Sequence, residues 1–390
     1  MARNLRIAVV GGGLGGTTAA ILLQQSGYNA TVYESAQRLE RIGAGIHLHP
    51  NVTRVMRAIG VDKTMFGIGL SPVRWLSREW DTGRVLYEPS MTEWEQEYGI
   101  PHLIMHRGDM QAVLTAALKP GTLKFDKRLV DLAERGSVIE LIFADGSREE
   151  ADIVIGADGV NSKVREILLG PEEPTYSGFV AYRSIFPASL LGDYRIGADT
   201  TKWWSDERLE AQEDRHFIIY YLTAKRDEIY FVTGSPDPNW QGGSTPVPAT
   251  IDEIRTCYVG FHPEVQRVIN ACPAASKWPL LEREPLPLWS QGNIVVLGDA
   301  CHPMKPHMGQ GAGMAIEDAA MLVRCLKAHE DDPARAFTLY RDNRIERTSK
   351  VQRLSHENTW MHYPGDVSWV FAYDALTVPL QPSKTPAKAG

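Results

Sequence analysis

The chain has 390 residues, 43% hydrophobic and 23% charged, with a formal net charge of −7. That length exceeds what one small core organises, so two domains or one large composite unit is expected. With no basic stripe and an acidic balance, nucleic acid and anionic membrane are poor partners, and small anions must be held by local donors.

The first residues, MARNLRIAVVGGG, run straight into a strand and loop, so no signal peptide is expected. No apolar run approaches bilayer-spanning length. The four cysteines, Cys257, Cys272, Cys301 and Cys325, are scattered without a CxxC pair, which points to reduced thiols and a cytoplasmic protein.

Residues 5–10, LRIAVV, read as a buried strand, and TTAAILLQQSG as a helix of small residues ending at a glycine stop. NATVYES is a second strand, which completes a β-α-β start. Between strand and helix, Gly11, Gly13 and Gly16 have the G-x-G-x-x-G spacing. Such glycines permit a tight turn, close approach of a diphosphate to backbone, and close helix–strand packing. The N-terminus of the helix behind the loop offers free amides and a partial positive charge to that diphosphate. Glu34 ends the second strand, where a carboxylate binds an adenosine ribose. A glycine turn without a ligand is the plain alternative. The loop alone does not separate NAD from FAD, which share the adenosine diphosphate half.

Further along, 51–61 has helical periodicity, and 73–90 has two β-like runs joined by DTG, a hairpin signal. HRGDMQAVLTAAL (106–118) reads as a helix, and 137–159 as a hairpin with an ADGS turn followed by a buried strand. From Tyr176 to about Trp278 the runs are aromatic and β-branched with little helix between them, which predicts an antiparallel sheet as a separate layer. NIVVLGDACH returns to the buried strand type, and AGMAIEDAAMLVRCLKAH is a helix. ENTWMHYPGDVSWVFAYDAL (357–376) reads as a C-terminal helix packed on the first domain, with a dimer contact or a lid as alternatives; monomer and homodimer both stay open. QPSKTPAKAG has the composition of a frayed tail.

Three later segments add to the first loop. Arg107 lies just before a helix, Asp158 and Gly159 follow a buried strand, and Gly298 and Asp299 follow another, ahead of HPMKPHMGQGAG. Together these resemble the flavin-dependent aromatic hydroxylases, the single-component FAD monooxygenases, and the GQGAG form resembles their salicylate hydroxylase-like branch. The resemblance implies an α/β fold: a Rossmann-like FAD-binding domain over 1–72, 101–175 and 279–380, an inserted antiparallel β-sheet substrate domain over 73–100 and 176–278, a C-terminal helical segment, and a tail at 381–390. It implies that Asp299 binds the ribityl chain and Arg107 the ribityl–phosphate region. It also implies that the loop with Pro306, Gly309, Gly311 and Ala312 passes along the flavin ring. Asp158 would order its own loop more than touch the ligand. Many relatives carry Asn where this chain has Gly313, so an Asn contact to the flavin is not carried over.

His302 and His307 are five apart across two prolines, a poor spacing for a shared metal, and His47 and His49 alternate as in a strand; no metal is expected. Substrate contact is the better reading. His216 and Tyr220 are four apart in a strand and share a face. The set His47, His216, Tyr220 and His302, with Pro306 beside it, suits a polar aromatic carboxylate bearing a ring hydroxyl. The resemblance implies its decarboxylative hydroxylation with FAD as cofactor and NADH and O2 as cosubstrates, through a 4a-hydroperoxyflavin. On this reading His302 and Tyr220 orient the substrate and move protons, while His47 and His216 anchor it. His302→Asn should then slow hydroxylation more than FAD binding. The alternatives are a hydroxylase of a benzoate-type substrate and an FAD-binding redox sensor without turnover.

Overall fold

A computed structural model of the chain describes residues 5–41, 44–206 and 214–382. Its first layer is a six-stranded sheet in the order Ser290–Gln291, Ile294–Val296, Ile153–Gly156, Arg6–Val10, Asn29–Tyr33 and Leu123–Lys124, parallel except for the first pair. The register matters for everything that follows. Val10 lies opposite Gly156, and Gly156 lies opposite Val296. The three chain segments after these strands therefore leave at one edge, the carboxyl end of the sheet, where ligands of such sheets bind.

The helix Leu14–Gln25 packs between this sheet and the helix Gly311–Ala328. Gly15 makes the approach possible. A Cβ there would stand 2.9 Å from Leu297 Cδ1 and 3.0 Å from Ala315 Cβ. The core of this layer is aliphatic, with Val9, Ala19, Leu23, Val32, Ile155 and Val295 fully buried.

The second layer is an eight-stranded sheet that draws strands from two distant stretches. Its order is Val247–Ala249, Ala275–Glu282, Thr175–Pro187, Glu228–Pro236, His216–Tyr221, Thr200–Trp204, Trp75–Glu79 and Val85–Tyr87. Six of the seven neighbouring pairs are antiparallel, as the alternation predicts, but Thr200–Trp204 runs parallel to Trp75–Glu79, a pairing that no local pattern signals. One face carries Phe217, Ile219, Tyr221, Ile229 and Phe231 against the helices Ile251–Cys257 and Pro263–Ala271. Full burial of each such side chain contributes roughly 1.5–3 kcal/mol. The other face carries Ile218, Tyr220, Tyr230 and Val232 toward the first layer.

One strand lies outside the expected elements, and one expectation needs correction. The stretch 129–135 is a strand, added to the hairpin 138–151 to make a three-stranded sheet. Its residues are mostly exposed, so it shows no apolar alternation to read. The stretch 357–376 is not one helix. The 25-residue helix Pro333–Glu357 stops at Asn358, whose φ of 52° is left-handed; Met361 follows at 59°, and only Ser368–Phe371 is helical again. The Pro364–Gly365 pair lies between them and breaks any continuation. All four cysteines are free, and among the described residues no helix is long and apolar enough to cross a membrane.

Candidate active site

The loops at the carboxyl edge of the first sheet face the Tyr220 side of the second, and a cavity of about 600 Å³ lies between them. Gly11 has φ +104°, and a Cβ on it would sit 2.4 Å from Ala157 O. At Gly16 a Cβ would sit 2.1 Å from Gly11 O; this glycine is buried behind the loop and serves packing alone. Gly13 and Leu14 border the cavity, and a Cβ on Gly13 would meet nothing within 4 Å. The cradle is thus open where a diphosphate would lie, and the unpaired amides of the helix's first turn are there to receive it. Glu34 also borders the cavity, with Oε2 accepting from Gly12 N and Oε1 from Ala36 N, both at 2.8 Å. Gln111, which the sequence does not single out, holds the loop from behind by donating to Gly12 O at 2.7 Å.

Asp158 caps the helix Lys163–Leu169, accepting from Lys163 N at 2.7 Å and Val164 N at 3.1 Å. Burial nevertheless lifts its carboxyl above the ordinary range. Asp299 and Arg107 behave differently. Both border the cavity, and neither side chain has a hydrogen-bond partner among the described residues. Asp299 is exposed to the cavity it borders, yet the surrounding bulk of protein raises its pKa against the opposing pull of His302 and Arg107. An unpaired carboxylate and an unpaired guanidinium in one cavity fit a ligand with hydroxyls and phosphates, which is what FAD presents. Gly309, in the left-handed region at φ +63°, then turns the chain so that Gly311 and Ala312 start the long helix at the cavity wall.

His47 stands on the strand Gly45–Leu48 and borders the cavity. Its Nδ1 lies 3.0 Å from Nε2 of His102, and its ring meets Tyr220 edge-on at 4.6 Å between centroids. Burial lowers its pKa to about 3, so the imidazole is neutral. Burial also raises the Tyr220 phenol well above its usual value, so it stays protonated. Gly45 is what brings them together: a Cβ there would fall 2.6 Å from Tyr220 Oη and 2.7 Å from Tyr230 Cδ1.

The other two histidines lie elsewhere. His216 shares a strand face with Tyr220 but does not border the cavity; its ring fills the room left by Gly234, and its Nδ1 accepts from Asn358 Nδ2 at 3.2 Å. His302 is buried behind the Gly298–Asp299 turn, with Nε2 2.5 Å from Asp318 Oδ2. Asp318 also accepts from Gly298 N at 3.0 Å and from Arg344 Nε at 2.7 Å. Burial opposes its charge, yet the neighbouring His302 and Arg344 hold its pKa at about 2.

The histidine that does reach the cavity from this segment is His307, five residues on. The short 3-10 turn Pro306–Met308 points it inward, and its Nδ1 donates to Ser355 O at 2.8 Å. Nε2 is then a lone pair without a protein partner. Its ring packs on that of His216 at 5.1 Å. From sequence, His307 enters only as half of a metal pair and His302 is the substrate residue; the cavity is bordered by His307 instead. Pro306, Lys305, Trp360 and Met361 complete this wall. Among the described residues, two groups have nitrogen, sulfur or oxygen atoms close enough for a metal, His47–His49–His102 and Cys301–His302–Asp318. His102 comes from a region that the spacing argument did not consider. In the first group His47 Nδ1 and His102 Nε2 are engaged with each other, and in the second His302 Nε2 and Asp318 are bound together.

Comparisons with known proteins bear on this geometry. The family profile described as "FAD binding domain" matches residues 4–355. The chain is 52% identical to the 6-hydroxynicotinate 3-monooxygenase of Bordetella bronchiseptica, over 96% of this chain and 97% of that one. It is 49% identical to the protein of the same name from Pseudomonas fluorescens, over the whole of both chains. Among solved structures it is similar to a salicylate hydroxylase in complex with substrate, with a TM-score of 0.79 and 26% identity, covering 95% of this chain and 96% of that one.

Proposed function

From the premise that this chain belongs to the FAD binding domain family and is an FAD-dependent monooxygenase, we propose that its substrate is 6-hydroxynicotinate. The reaction consumes NADH and O2 and releases 2,5-dihydroxypyridine, CO2, NAD⁺ and water. The observation that carries this reading is the division of one cavity. At one end are the open Gly13 cradle and the unpaired Arg107 and Asp299; at the other stands a wall of neutral imidazoles and a protonated phenol. The first end suits a flavin dinucleotide, and the second a small polar aromatic anion.

FAD, held by Gly11–Leu14, Glu34, Arg107, Asp299 and the start of the helix Gly311–Ala328, supplies the passage of electrons from NADH to O2. The chain's own residues do the rest. Tyr220 donates a hydrogen bond, and the neighbouring His47 fixes the ring's orientation. The His307 Nε2 lone pair accepts the proton of the ring hydroxyl, which drives electron density toward the carbon bearing the carboxylate. Once oxygen is added there, that carbon carries both hydroxyl and carboxylate, and loss of CO2 restores aromaticity. His216, stacked edge-on behind His307, keeps that ring in place. Trp360 and Met361 close the cavity against water. Free cysteines favour a cytoplasmic setting.

The test is to mix the FAD-loaded protein with NADH and O2, with and without 6-hydroxynicotinate, and to follow NADH, CO2 and 2,5-dihydroxypyridine together. Stimulated oxidation with one CO2 and one product per NADH is expected. Oxidation that yields only hydrogen peroxide, or equal stimulation by salicylate, would sink the substrate assignment.

A further inference from the structure

Behind the cavity wall, four buried polar side chains form an unbroken line, and chemistry fixes the direction of each hydrogen bond. Glu317 is 0% exposed, and Arg344 and Arg347 nitrogens lie 2.7–2.9 Å from its carboxylate oxygens. Those charges hold it ionised against burial. A carboxylate only accepts, so Asn51 must turn its amide nitrogen toward it, with Nδ2 at 2.6 Å from Oε1. The second hydrogen on that nitrogen points to Gln310 Oε1 at 3.0 Å. With its carbonyl so engaged, Gln310 presents Nε2 to His49 Nδ1 at 2.8 Å. An amide N–H only donates. His49 Nδ1 therefore holds a lone pair, and the single proton of the neutral ring is on Nε2. Turning either amide over would set oxygen against oxygen, or two donors face to face.

His49 borders the cavity, and its Nε2 has no partner among the described residues. Its Cε1 lies 3.4 Å from where a Cβ on Gly309 would stand, so the ring is beside the loop that starts the long helix. His47, His102 and Phe371 pack against the ring from the other sides and leave it one orientation.

We infer that His49 is a fixed hydrogen-bond donor into the cavity, its tautomer set by Glu317 through Asn51 and Gln310, and that it binds an anionic or carbonyl oxygen of the ligand. Two ligands carry such an oxygen: the aromatic carboxylate and the flavin ring. Only the identity of the first rests on the function proposed above. Asn51 and Gln310 are positioning residues; the histidine makes the contact.

Two measurements test this. Long-range ¹H–¹⁵N spectra of FAD-loaded protein labelled at histidine, with His49→Gln to assign the signal, should show a bare Nδ1 and a protonated Nε2 for His49. A protonated Nδ1 in the wild type overturns the inference. Gln310→Glu replaces the donor with an acceptor, so Nδ1 should gain a proton; an unchanged bare Nδ1 in folded, FAD-loaded variant also overturns it. If that variant does not fold, the wild-type spectrum alone decides. The second measurement is affinity. His49→Leu should weaken one ligand about tenfold, and His49→Gln, which keeps an N–H, should recover most of it. Loss confined to 6-hydroxynicotinate, read by flavin absorbance, assigns the carboxylate. Loss confined to FAD, read by flavin fluorescence, assigns the flavin ring. No loss for either overturns the contact. Should 6-hydroxynicotinate fail to bind the wild type at all, the substrate proposal falls, while the spectra and the FAD titration still decide the role of His49.

Discussion

His302 and His307 carry the sharpest contrast at the scale of single residues. His302 looked like a proton-transfer group because it follows the Gly-Asp pair. In the fold its ring turns away from the cavity to Asp318, under the Gly298 amide. We therefore expect His302→Asn to lower the melting temperature and FAD retention first, because it leaves Asp318 and Arg344 with a disturbed buried pairing, at about 2–4 kcal/mol. Its effect on kcat in the FAD-loaded fraction should be the smaller one. His307→Asn should do the reverse: FAD retained, kcat lowered by about 10²–10⁴. Thermal melts and single-turnover rates on both variants check this, and equal effects would remove the distinction. Tyr220→Phe belongs with His307. It should keep FAD, since the phenol packs on His47, Tyr230 and Gly45 and not on the Gly-rich loop, and should reduce the coupling of NADH oxidation to product.

Among elements, glycines decide where loops and strands meet. The spacing of Gly11, Gly13 and Gly16 was legible because strand, loop and helix are contiguous, and the demands of each position are local. Gly16→Ala should force the helix Leu14–Gln25 off its strand, because the new carbon meets Gly11 O at 2.1 Å. Loss of FAD and of several kcal/mol of stability is expected, seen as colourless protein with a lowered melting temperature. Gly45 gave no such signal. Its role exists only because Tyr220 and Tyr230 arrive from strands 170 and more residues away and press on the strand Gly45–Leu48. Gly45→Ala should part the two layers there, raise the KM for substrate and leave FAD bound; unchanged KM would show that the contact is not needed. The strand Leu129–Arg135 and the turns after Glu357 were missed for a related reason: exposed edge strands and left-handed residues carry no periodicity.

For the molecule as a whole, the cavity is lined or backed by five histidines, His47, His49, His102, His216 and His307, all held neutral by burial. An unfolded histidine takes a proton near pH 6.5, whereas His47 in the fold does so only at about 3. Unfolding therefore takes up protons below pH 6.5. The stabilisation is complete above that value and is lost as pH falls through the window toward 3. Each such histidine adds about 1.4 kcal/mol per pH unit to the slope. The denaturation midpoint should drop steeply from pH 6.5 to 5 while changing little from 7 to 8; a flat profile would mean that these rings are charged in the fold.

The sequence by itself determined the Gly-rich loop, the strands that carry Asp158 and Asp299, the antiparallel layer, and the motif residues that border the cavity. These follow from contiguous motifs, in which a residue's neighbours in the chain are also its neighbours in space. Only the tertiary structure decided which imidazoles share the cavity, that Asp299 and Arg107 are left unpaired, and that Glu317 governs His49 from the far side of Asn51 and Gln310. Hydrogen-bond direction is a property of a closed network, and this one joins residues 49–51 to residues 310–317 across some 260 positions of chain that encode no trace of the pairing.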